Sequence, residues 1–239
     1  MRVRPGRPRP TLPAAAAAVA IAGRGLGLLS WAAALLRRSK PLHPVGVVAG
    51  AVLTVDPAPV ASGSPLLDRP GGRRCLVRAS YAVGTGPEHT DIEGFALRVL
   101  PVDADDARSD LLFASTGVGR WTRHLLVPRR PGRHGAQTTL LPVRAAGRPL
   151  VVRLDPVDRL TQPWPARYVL SWSHGQGTWH RFATLAVAWD GVDDAPNRFD
   201  PVANPLPGTT QYAAVARLRE PAYRSARLAR PSAGRLPRA

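Results

Sequence analysis

A succession of short apolar runs, each closed by proline or glycine, limits what this chain can fold into. Val47–Val55, Arg74–Val83, Gly94–Leu100 and Asp110–Ser115 come first, and Leu125–Pro128, Thr138–Val143, Leu150–Leu154, Tyr168–Ser173 and Phe182–Trp189 follow. They are rich in valine, leucine and aromatic residues, and each has the length of a strand rather than of a helix. The 26 prolines and 22 glycines supply the turns between them. Asp56–Gly72, Gly84–Glu93 and Pro101–Ser109 read as loops on the same grounds. Strands at short, regular spacing predict an antiparallel sandwich or barrel.

The two ends of the chain have a different texture. Met1–Pro10 is basic, and Leu12–Gly23 and Gly25–Leu36 are apolar runs separated by Arg24. Neither run reaches the ~20 residues that span a bilayer, and an arginine at the centre of a combined span is costly. Arg37, Arg38 and Lys40 close the segment, which favours a helix lying on the domain or on a membrane surface over a signal peptide. At the other end Asn197–Gly208 is irregular and proline-rich, and Tyr212–Arg230 has helical spacing. The expected class is therefore α+β, an antiparallel β-barrel with an N-terminal helix and a C-terminal helix. Residues 1–40 form a basic arm and helix, 41–228 the barrel domain with its C-terminal helix, and 229–239 a disordered basic tail.

The formal net charge of +17 comes almost entirely from arginine, since Lys40 is the only lysine. Such a surplus attracts anions of any kind: propionates, phosphates, acidic lipid or nucleic acid. The aromatic residues show no clustered spacing, so nucleic acid is not the expected partner. Cys75 is the only cysteine, which excludes an internal disulfide framework and a zinc site built on cysteine pairs. It fits a cytoplasmic location, with membrane association through the N-terminal helix as the alternative. No Gly-x-Ser-x-Gly elbow, His-Glu-x-x-His or Walker loop is present. The acidic groups Asp103, Asp105, Asp106 and Asp190, Asp193, Asp194 read as solvated turns. His134 and His174 stand in glycine-rich loops, where surface placement is expected, and the six tryptophans are expected in the core or at its rim.

Several segments share order and spacing with one family. Val77-Arg78-Ala79-Ser80, then Gly84, then Asp91-Ile92-Glu93-Gly94-Phe95-Ala96-Leu97-Arg98 resembles the barrel signature of heme catalases. That signature runs Val-Arg-Phe-Ser, a glycine, then Asp-Ile-Arg-Gly-Phe-Ala-Leu-Lys. Asp110-Leu111-Leu112 follows where catalases have Trp-Asp-Leu-Val. His43-Pro44-Val45-Gly46 is similar to the distal His-Ala-Lys-Gly. Phe199-Asp200-Pro201 with Pro207-Gly208 resembles the stretch before the proximal helix, after which Arg219 and Tyr223 have the spacing of the family's arginine and heme-ligating tyrosine. The match covers residues 43–116 and 197–227, and the resemblance is to a short, divergent member of the actinobacterial type.

The resemblance implies a heme-dependent, peroxide-reactive oxidoreductase with a catalase-like barrel. Tyr223 would bind the iron as phenolate, and Arg219, one helical turn away, would stabilise that anion. His43 would carry the catalytic proton, and Arg78 would hold a heme propionate. The expected substrate is a small peroxide or a lipid-derived ligand. Each residue has a plainer reading: His43 hydrogen-bonded to a loop, Tyr223 packed on the barrel from an amphipathic helix, and Arg78 in an internal ion pair with Asp91. The chain also departs from the pattern. Phe113-Ala114-Ser115 stands where catalases place a distal asparagine, Val45 replaces a basic residue, and Arg224-Ser225-Ala226 follows the tyrosine. Pro221 falls between Arg219 and Tyr223, which makes Arg227 a substitute partner. Two other functions remain open at this point: a heme-free barrel binding an acidic or apolar ligand at a membrane surface, and a phosphodiesterase-type hydrolase.

Overall fold

In the computed structural model the described residues are 46–82, 89–103, 107–160, 163–192, 199–213 and 215. Ten strands run β1 Gly46–Val55, β2 Gly71–Tyr81, β3 Glu93–Val99, β4 Ser109–Ser115, β5 Gln137–Thr138, β6 Val143–Ala145, β7 Arg148–Pro156, β8 Arg167–His174, β9 His180–Val192 and β10 Thr209–Gln211. All pairings are antiparallel. The order β7-β5-β4-β3-β2-β1-β9-β8 closes on itself through a β7–β8 pairing, which makes an eight-stranded barrel. β6 continues the same edge of β7 beyond β5 and carries β10 as a short extension.

Alternation along each strand fills the barrel. Leu53, Val55, Val77, Ala79, Phe95, Leu97, Leu111, Phe113, Leu150, Val152, Leu154, Tyr168, Leu170, Trp172 and Leu185 belong to one buried apolar cluster. Burying a side chain of this size contributes ~1.5–3 kcal/mol, so this layer dominates the stability of the fold. Closure also leaves no long unpaired sheet edge.

Most of the expected strands are present within a few residues of their predicted bounds. Leu125–Pro128 is the exception: it is a loop, tied to β4 by an isolated Thr116/Leu126 bridge and the Val127 N–H donating to the Ser115 carbonyl. The expected Thr138–Val143 strand is broken in two because Leu140 adopts φ +57°. The expected Asp56–Gly72 loop contains a single helical turn, α1 Pro65–Asp68, and gives its last two glycines to β2. Trp121 is exposed rather than at the rim of the core. The N-terminal helix, His43, Arg219, Tyr223 and the basic tail lie outside the described residues. Of the C-terminal helix, Ala213 and Val215 are described and are helical. Among the described residues no helix is long and apolar enough to cross a membrane.

Candidate functional site

The residues that do not face the core lay out a regular outer surface on β1, β2, β3 and β4. Register places Gly46, Ser80, Gly94 and Ala114 in one row, and Val48, Arg78, Ala96 and Leu112 in the next. Gly50, Leu76, Arg98 and Asp110 form the third. No side chain in the first row is larger than serine, so that strip offers a flat floor. Arg78 stands beside it, half-buried, on the central strand pair. A Cβ at Gly46 would come within 2.6 Å of Arg78 Cζ, so the guanidinium lies over the β1 end of the strip, where only glycine leaves room for it.

A strap from Phe199 to Leu206 closes the far side of this face. Phe199 packs with Val48 and Leu76, and the Arg98 guanidinium lies 5.0 Å from the centre of its ring. Buried Asp110 organises the strap. Its Oδ1 accepts from Arg98 Nε at 2.7 Å, and its Oδ2 accepts from Arg98 Nη2 at 2.8 Å. The same Oδ2 accepts from the Asp200 N–H at 2.7 Å and Asn204 Nδ2 at 2.8 Å. Ser109 Oγ adds a bond to the Pro205 carbonyl. A bidentate pair with two further donors is a strong, directional anchor. The segments singled out in the sequence, on β2, β3, β4 and the strap, thus meet on one surface.

Of the four site residues expected from sequence, Arg78 is the described one, and it lies on this face. His43, Arg219 and Tyr223 fall outside the described residues. On β4, Phe113 is packed in the core and Ser115 turns inward, where its Oγ donates to the Val127 carbonyl and accepts from the Glu93 N–H. Ala114 is therefore the residue this part of β4 presents to the face, and it brings no hydrogen-bonding group.

A second cluster closes one end of the barrel interior. Glu93 is fully buried (0% exposed) and His134 nearly so (4%). His134 Nδ1 donates to Glu93 Oε1 at 2.7 Å, while Glu93 Oε2 has no hydrogen-bond partner among the described residues. The rings of Trp164 and His134 are 5.2 Å apart, and those of Tyr81 and Trp164 4.8 Å apart. Burial first, and the Glu93 charge second, push the Tyr81 phenol up to about 12. His134 is thus a core residue, not a surface one. The sequence carried one hint of this: Glu93 occupies a position that is arginine in the resembled signature. Its partner is 41 residues away and could not be identified from the pattern.

A porphyrin with two carboxylate arms needs a flat floor free of bulky side chains and a cation at its edge. The Gly46–Ser80–Gly94–Ala114 strip and Arg78 meet both demands, so the described residues fit such a group. Among them no cluster of three or more His, Cys, Asp and Glu side chains is arranged to hold a metal ion directly.

No protein-family model matches the chain, and no curated protein matches it. Solved catalase structures do. Catalase A from Saccharomyces cerevisiae superposes with a TM-score of 0.60 at 13% identity, over 97% of this chain and 68% of that one. A bacterial catalase gives 0.59 at 14% identity, over 87% of this chain and 61% of that one. A fungal catalase gives 0.57 at 15% identity, over 87% and 63%. The chain has the catalase-like β-barrel fold, and it spans about two thirds of the length of these catalases.

Proposed function

We propose that this chain is a heme-binding oxidoreductase of the catalase-like fold that reacts with a small peroxide or lipid hydroperoxide, more slowly than a catalase. One observation carries the reading: those segments resembling the catalase signature that are described, on β2, β3, β4 and the strap, converge on a single outer face, with Arg78 beside its strip of small residues. Fold alone does not carry activity, so the argument rests on that face.

Bound heme would supply the redox centre that peroxide oxidises. Arg78 would hold a propionate by a charge-assisted pair. Tyr223 would hold the heme iron, kept as phenolate by Arg219 or, because of Pro221, by Arg227. His43 would take the proton from peroxide and return it to the departing oxygen. Ala114 offers that oxygen no hydrogen bond, which is the reason for the slower turnover.

Hemin titration followed by absorbance, with wild type and Arg78→Leu, tests the assignment. The variant should bind hemin roughly tenfold more weakly, the loss expected for one charge-assisted contact. Equal affinity would remove Arg78 from the site. The heme-free reading draws on the aliphatic side chains Val48, Ala96 and Leu112 that share a row with Arg78; a chain that ignores hemin but binds a fatty acid on this face would favour it. The phosphodiesterase reading has no such observation among the described residues.

A further inference from the structure

The loop Gly117–Leu125, on another part of the barrel surface, combines a rigid scaffold, exposed apolar side chains and unbalanced positive charge. Trp121 is 56% exposed, and Val118 and Leu125 are each 42% exposed. The loop is tightly folded. Thr122 Oγ1 accepts from the Gly119 N–H at 2.9 Å, and the Gly117 N–H donates to the Thr122 carbonyl at 3.1 Å. Buried Arg123 fastens the loop to the barrel: its guanidinium donates to Ser173 Oγ, the Gly175 carbonyl and the Gly177 carbonyl. It also lies 4.3 Å from the centre of the Trp179 ring, and Arg153 lies 5.5 Å from the same ring.

Charge at this place is lopsided. Arg153 is paired with Asp155 at 2.6 Å, but neither Arg120 nor Arg123 has a carboxylate partner among the described residues. Burial, then the nearby Arg153 and Arg120, lower the basicity of Arg123, a sign that the cations crowd one another. Exposed Arg120 and buried Arg123, both without a carboxylate partner among the described residues, share one loop with an exposed tryptophan and two aliphatic side chains, a combination that matches an anionic, partly apolar surface. Single-stranded nucleic acid matches it less well. Arg123 and Arg153 already lie over the ring of Trp179, which leaves Trp121 as a lone stacking platform, and Val118 and Leu125 do not stack on bases.

We propose that the Gly117–Leu125 loop docks on an anionic lipid bilayer, with Val118, Trp121 and Leu125 entering the headgroup region and Arg120 meeting lipid phosphate. The proposal concerns residues 117–125 alone and does not depend on heme. The full-length chain is mixed with phosphatidylcholine vesicles, with and without phosphatidylglycerol, and sedimented. A parallel set of anionic vesicles carries brominated acyl chains. Bromine should quench a component of tryptophan emission that is absent in Trp121→Phe, which reports this residue whatever the arm does. The double variant Val118→Ser with Trp121→Ser should partition roughly tenfold more weakly, and Arg120→Gln should weaken the response to phosphatidylglycerol. Near-UV circular dichroism confirms that the variants are folded. Three results would overturn the proposal: no sedimentation with anionic vesicles, the same quenching in Trp121→Phe, or protection of Trp121 by an oligonucleotide and not by vesicles.

Discussion

Asp110 holds Arg98 by two bonds, at 2.7 and 2.8 Å, and with its Oδ2 also binds the Asp200 backbone and Asn204, so one carboxylate joins β3, β4 and the strap. Asp110→Ala should destabilise the chain by about 3–5 kcal/mol, the cost of leaving a buried cation without its partner. The double variant Arg98→Met with Asp110→Leu should recover only part of this, because the Asp200 N–H and Asn204 still lose their acceptor. Urea unfolding followed by circular dichroism measures both. Full recovery would show that the strap does not depend on Asp110.

The Glu93–His134 pair should behave differently. Glu93→Ala alone should cost about 1–3 kcal/mol, since it strips a buried histidine of its acceptor. Glu93→Leu combined with His134→Phe should restore most of the loss, because Glu93 Oε2 has no partner among the described residues to forfeit. A double variant as unstable as the single one would mean that the pair shapes the barrel end in some way beyond their mutual hydrogen bond.

Stability should fall on the alkaline side. Cys75 ordinarily loses its proton near 9, and burial pushes the folded thiol up to about 12. Tyr81 moves from 10 to about 12 in the same direction. Between those values the unfolded chain has given up protons that the folded chain still holds. The contribution of both groups is therefore intact below pH 9 and lost as pH rises from about 9 to about 12. Urea midpoints measured across that range should decline, and Cys75→Ala should remove up to about 1.4 kcal/mol per pH unit of the slope. An unchanged slope would mean that the thiol does not set it.

How far the sequence revealed this structure depended on periodicity. β1 to β4 and β7 to β9 are long enough for alternation to show, and they were located to within a few residues. β5, β6 and β10 have two or three residues each and no period to detect. Leu125–Pro128 has strand-like composition, yet the preceding Thr122–His124 turn and Pro128 hold it off the sheet. On the candidate face, Arg78, Gly94 and Phe199 belong to the resembled motifs, but their meeting on one surface comes from strand register and the packing of the strap. The Glu93–His134 pair, the Arg123 anchor and the exposure of Trp121 did not, because each depends on how loops distant in sequence fold against the barrel.

Ala114 provides a gain-of-function prediction. It is the β4 member of the strip over which the proposed function places the peroxide. Ala114→Asn should raise peroxide consumption by the heme-loaded chain by about tenfold or more, given that one donor placed at developing charge is worth ~10²–10³ in favourable sites. Oxygen evolution per heme is the readout. An unchanged rate with heme still bound would place the peroxide somewhere other than this face.

The most direct measurement is the absorption spectrum of the full-length chain, purified from cells supplied with a heme precursor, beside that of Tyr223→Phe. The account predicts a Soret band of tyrosinate type in the wild type and its loss in the variant. A colourless protein that also fails to take up added hemin, or an identical spectrum in the two, would contradict it.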